Sequence, residues 1–126
     1  MEKIIINTPE APAAIGPYVQ GTMLGNLVFT SGQIPLDPVT MEIVAGGISV
    51  QSEQVMKNLL AVLQAAGSST GKVLKTTCFL SNMGDFAEFN RIYAQYFGDN
   101  APARSCIQAA RLPKDVLVEV EAIAYR

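Results

Sequence analysis

Two apolar segments near the C terminus, Pro102 to Ala110 and Val116 to Tyr125, alternate with the two-residue period of β-strands. No other stretch constrains the fold as much. Between them lies Arg111-Leu112-Pro113-Lys114-Asp115, which holds the Pro and Asp of a turn, so the pair reads as a hairpin. In the second segment Leu117, Glu119, Glu121, Ile123 and Tyr125 share one face, and Val118, Val120, Ala122 and Ala124 form the cleaner core face. Arg104, Glu119 and Glu121 are thus charges set into strands otherwise built of Ala, Val, Ile and Cys. A charge removed from water costs stability unless it is paired or hydrogen-bonded. These residues face solvent, pair at a subunit contact, or bind an anion, for which the planar fork of a guanidinium matches a carboxylate. Composition does not choose among the three. A simple turn at Pro113-Lys114 puts Arg104 and Glu119 on the same face but about four residues apart, roughly 13 Å along the strands. One small acid could then touch both only if they came from different chains.

The 126 residues suffice for one domain, which at this size buries roughly two-thirds of its unfolded surface. Only 16% of the chain is charged, against about 25% in an ordinary soluble domain, while 49% is hydrophobic. The stretch Ala11 to Leu36 has no charged residue at all. Gly16, Pro17, Gln20, Gly21, Gly25, Asn26, Gly32 and Gln33 interrupt it too often for a membrane span. Burial against further copies of the chain fits better, and a tight homo-oligomer is expected. Met1-Glu2-Lys3 lacks the start of a secretory signal, so the expected location is cytoplasmic, with Cys78 and Cys106 as free thiols. The chain has no His and no close cluster of Cys with carboxylates, which argues against a metal site. Net charge -2 without a basic run argues against nucleic acid as a partner. A P-loop and a dinucleotide fingerprint are both missing.

In chain order, Lys3 to Asn7 reads as a strand, and Thr8 to Pro17 as a loop whose tip presents Tyr18. Val19 to Leu24 and Leu27 to Ile34 read as strands joined at Gly25-Asn26. Ser31 lies in the second, followed by Gly32, whose lack of a side chain lets another backbone or a ligand come close. Asp37 to Gly47 is a loop with a brief extended piece at Met41 to Val44. A helix follows, with Ser49 as its N-cap, Val55, Met56, Leu59, Val62, Leu63 and Ala66 at helical spacing, and Gly67 as its stop. Lys72 to Ser81 is a strand. Asp85 and Glu88 form a capping box for a second helix, whose face of Phe86, Phe89, Tyr93, Tyr96 and Phe97 ends at Gly98, with Asn90 on its flank. This order predicts an α+β domain, two helices on one face of a mixed sheet whose other face is covered by something else.

Four of these stretches, APAAIGPYVQG (11–21), TSGQIP (30–35), APARSC (101–106) and ARLPKDVLVEVEAIA (110–124), closely resemble the RidA/YjgF family of reactive-intermediate deaminases. The likeness runs over essentially the whole chain. It implies a chorismate-mutase-like α+β fold and a homotrimer with clefts between subunits. It also implies cofactor-independent hydrolysis of 2-iminobutanoate and 2-iminopropanoate to 2-oxo acids and ammonia. By the same resemblance Arg104 is the carboxylate-binding residue and Glu119 the acidic residue near the reacting carbon. Tyr18, Ser31 and Asn90 supply polar contacts, and Cys106 lies in the cleft. The chain departs from the family pattern at Ala101, where many relatives carry an aromatic before the Pro. Roles of another class attached to such proteins are a regulatory trimer that binds 2-oxo acids without turnover, a chaperone-like holdase, and a ribonuclease.

Overall fold

The computed structural model describes all of residues 1–126. Its elements are β1 (Ile4–Ile6), β2 (Gly21–Leu24), β3 (Leu27–Thr30), α1 (Ile48–Ala65), β4 (Val73–Leu80), α2 (Phe86–Phe97), β5 (Ala103–Gln108) and β6 (Val118–Tyr125). The strands form one sheet in the order β1-β2-β3-β6-β4-β5. Every neighbouring pair is antiparallel except β4 and β5, which run parallel. The expected α+β architecture is therefore present, with both helices on one face.

The expected C-terminal hairpin is not. β5 and β6 both exist, but β4 lies between them. Residues 109–117 step over the end of β4, where the Ala109 N–H donates to the Leu80 carbonyl at 2.8 Å and the Ser81 N–H to the Leu117 carbonyl at 3.0 Å. The reason lies in β4 itself, whose buried Thr76, Cys78 and Leu80 need a central position in the sheet. A strand, a helix and a second strand in sequence can join as a parallel unit with the helix as crossover, and β4-α2-β5 does so. β3-α1-β4 is a second such unit, split by the insertion of β6.

The core lies between sheet and helices. Val55, Met56, Leu59, Val62 and Leu63 of α1 and Phe89, Ile92, Tyr93 and Phe97 of α2 pack on Val118, Val120, Ala122 and Ala124 of β6. The core face expected for β6 is the one observed. A bulge between Val73 and Lys75 turns Leu74 outward at the start of β4. Helix ends fall where expected, but the side-chain capping bonds are absent. α1 starts behind Gly47 without a side-chain cap, leaving Ser49 inside the first turn; Asp85 stands at the N-cap of α2, but its side chain makes no capping bond, and the Glu88 side chain pairs with Arg91. The other face of the sheet has no covering element in the chain and exposes Leu24, Leu27, Phe29, Ile107, Ile123 and Tyr125.

Candidate active site

The register decides where each charge points. Arg104 lies opposite Thr76, and Thr76 opposite Ala122. Thr76 is fully buried, and its hydroxyl is 2.7 Å from the phenol of Tyr93 on α2, so these three positions face the helices. Glu119 lies opposite Phe79, on the uncovered face. Arg104 and Glu119 therefore do not share a face, as the hairpin reading had them. They are two strands and three residues apart on opposite sides of the sheet, roughly 14 Å in the plane of the strands alone.

The Arg104 half-site is assembled by the parallel pairing of β5 beside α2. Its Nη1 donates to Asn90 Oδ1 at 2.7 Å, and its guanidinium carbon stands 4.8 Å from the centre of the Tyr93 ring and 5.4 Å from that of Phe86. The stacking holds the plane of the fork and leaves its remaining N–H groups unsatisfied by any acid. The ion pairs of the chain are Arg91 with Glu88 and Arg111 with Asp115, so Arg104 pairs with neither Glu119 nor Glu121 within one chain. A cavity of about 350 Å³ opens here, between the end of α2 and Ala101-Pro102. Cys106, one pleat along from Arg104, is half-buried, and burial raises its thiol pKa more than Arg104 lowers it. Its register partner is Cys78, where burial pushes the pKa up to about 12. Both thiols are free, and neither environment favours a thiolate nucleophile.

The Glu119 half-site depends on a bulge. Phe29 pairs with Ile123, but Gln33 pairs with Val120, so Thr30, Ser31 and Gly32 oppose only Glu121 and Ala122. The bulge is held by side chains. Thr30 Oγ1 accepts from the Ala122 N–H at 3.0 Å, and Ser31 Oγ donates to the Val19 carbonyl at 2.5 Å. Glu119 lies across Gly32, its Oε2 only 2.0 Å from where a Cβ on that residue would stand. Gly32 does mark a close approach, but the approaching group is the Glu119 side chain and not another backbone or a ligand. Burial, reinforced by Glu121, raises the Glu119 pKa above the usual carboxylate range. A cavity of about 460 Å³ joins Glu119 to Ser31 and the exposed ring of Tyr18, with Lys114 at the rim and an apolar remainder that includes Ile15, Leu36 and Met41.

Of the six candidates, the fold brings Arg104, Asn90 and Cys106 to one half-site and Tyr18, Ser31 and Glu119 to the other. Sequence reasoning missed Tyr93 and Phe86 as the platform under Arg104, although their helical spacing from Asn90 was visible. It also missed Lys114 and Met41, whose backbones are left-handed, with φ of 56° and 60°.

Comparison with known proteins agrees over the full length. The family model described as endoribonuclease L-PSP matches residues 8–126. A 2-iminobutanoate/2-iminopropanoate deaminase from Salmonella typhimurium is 53% identical over 124 residues, covering 96% of each chain. A RutC family protein from Pyrococcus horikoshii is 52% identical over 124 residues, covering 98% of each. The crystal structure of Escherichia coli TdcF with bound serine superimposes with a TM-score of 0.93 at 51% identity, again covering 98% of each chain. Motifs, fold and comparisons agree, and the chain belongs to the RidA/YjgF family, the family described by the endoribonuclease L-PSP model.

Proposed function

We propose that this protein hydrolyses 2-imino acids and their enamine tautomers, 2-iminobutanoate and 2-iminopropanoate among them, to 2-oxo acids and ammonia, in sites shared between the subunits of a homotrimer. The observation that carries the reading is the Arg104 guanidinium, stacked on Tyr93, held by Asn90 and unpaired with any acid. It is a preformed receptor for a carboxylate. The names of close relatives supply the reaction class. The uncovered apolar sheet face, together with the charge-free stretch from Ala11 to Leu36, supports burial against further copies of the chain.

In this mechanism Arg104 holds the substrate carboxylate by its fork, which orients the neighbouring C=N carbon toward a Glu119 supplied by the next subunit. Water adds to that carbon, forming the C–O bond as the C=N bond becomes single, and the tetrahedral intermediate then expels the nitrogen as ammonia while C=O forms. Glu119, with its raised pKa, accepts a proton from the attacking water and passes it to the imine nitrogen, then takes the hydroxyl proton of the tetrahedral intermediate as C=O forms and passes it to the departing nitrogen, which leaves as NH3. Tyr18 and Ser31 hydrogen-bond the intermediate. Cys106 contributes backbone and shape, in keeping with its raised pKa. The test generates the imine in situ with an amino-acid oxidase or a dehydratase and follows ammonia release and semicarbazone formation with and without the protein. Accelerated ammonia release supports the reading. Binding of 2-oxo acids without acceleration supports a regulatory role instead.

A further inference from the structure

The cavity at Glu119 is divided in character. Its polar part is Tyr18, Ser31 and Glu119, and the remainder is walled by Ile15, Leu36 and Met41. Met41 reaches that wall from a backbone conformation that favours glycine, φ 60°, one of only three non-glycine residues in the chain with positive φ. Lys114, a second of the three, lines the same cavity. Strained residues of this kind persist where the surroundings hold them, and they gather at sites of function.

The surroundings of Met41 do hold it. Asp37 Oδ1 accepts from the N–H groups of Val39 at 2.8 Å and Thr40 at 3.1 Å. The Met41 N–H donates to the Asp37 carbonyl at 2.8 Å, and the Asp37 N–H to the Glu42 carbonyl at 2.9 Å. The Val44 N–H donates to the Pro35 carbonyl at 3.0 Å, and Leu36 is bridged to Ile43. A glycine would close the same turn without strain. What methionine adds is a flexible, polarizable side chain on the cavity wall.

We propose that Met41 is a specificity-determining residue: it forms the adaptable wall of a pocket for the substrate's side chain, so that the protein accepts 2-imino acids with apolar side chains longer than ethyl. This rests on the function proposed above. The amino group leaves at the polar end beside Glu119, and the side chain of the imino acid extends from the same carbon skeleton toward Ile15, Leu36 and Met41. The apolar part of the cavity gives that side chain a surface to pack on beyond the reach of the ethyl group of 2-iminobutanoate.

The experiment compares wild type, Met41→Gly and Met41→Leu in two assays. Calorimetry measures binding of 2-oxobutanoate and of 4-methyl-2-oxopentanoate. Turnover is followed on the imines that an amino-acid oxidase makes from 2-aminobutanoate and from leucine. The expected result is that Met41→Gly weakens binding of the branched acid and raises KM for the leucine-derived imine by about tenfold, leaving the short pair within twofold, and that Met41→Leu restores the wild-type profile. Equal effects on both chain lengths, or no effect, would overturn the role of Met41 even with wild-type turnover intact. Wild type that turns over the short imine but neither binds nor turns over the long one would overturn the pocket while leaving the proposed reaction standing. Wild type that turns over neither imine would overturn the reaction, and this proposal with it. Thermal unfolding of each variant separates these outcomes from loss of fold.

Discussion

Arg104 and Glu119 stand on opposite faces of a single sheet, linked through the register Arg104-Thr76-Ala122, with Glu119 three positions along β6 from the last of these. A carboxylate bound at one is out of reach of the other by roughly 14 Å and the thickness of the sheet. If both act on one substrate, two chains must meet.

That condition has a direct test. Arg104→Ala and Glu119→Gln chains, each inactive alone, are refolded together. In randomly mixed trimers about one interface in four joins an intact Arg104 to an intact Glu119 in the required order, so about a quarter of wild-type activity returns. Light scattering of the wild type is expected to give three times the 13.5 kDa chain mass, and a monomer mass would sink the shared site. Absence of recovery in verified mixed trimers would remove one of the two residues from a shared site.

Arg104→Lys keeps the charge and loses both the fork and the stack on Tyr93. A charge-assisted hydrogen bond contributes about 1.5–3 kcal/mol, so kcat/KM for 2-iminobutanoate is expected to fall about 10- to 100-fold, most of it in KM. Near-normal kinetics would show that Arg104 contributes charge alone.

Glu119→Gln tests proton transfer and linkage together. Turnover is expected to drop by about 10²-fold or more, with unchanged affinity for 2-oxobutanoate. The folded-state pKa of Glu119 is raised, so its contribution to stability is fully present below 4.5 and is lost as pH rises through the folded value. Thermal unfolding of the wild type should therefore lose stability relative to the Gln variant across that window. Parallel pH profiles would mean that the side chain is solvated and its pKa ordinary.

Gly32→Ala probes the contact that positions this carboxylate. The added methyl would stand 2.0 Å from Glu119 Oε2, so the side chain must swing away, which it can do as the end of a flexible chain. A loss of kcat larger than the loss of stability is expected, measured by steady-state kinetics beside thermal unfolding. Unchanged kcat would show that the position of Glu119 over Gly32 is not required.

What the sequence determined alone was local. Apolar periodicity marked every strand and both helices, because the burial that creates the pattern acts on each element separately: Val118, Val120, Ala122 and Ala124 were readable as a core face without knowing their neighbours. Motif residues likewise pointed to Arg104 and Glu119. What only the tertiary structure decided was which strand lies beside which. Two alternating segments joined by a Pro-containing linker look alike whether they pair directly or enclose β4, since either arrangement buries the same alternate side chains. That choice rests on β4 requiring partners on both edges and on α2 serving as a crossover, both of them non-local. It moved Arg104 and Glu119 from one face to two, while the need for a second chain, already set by their separation along the strands, stayed the same.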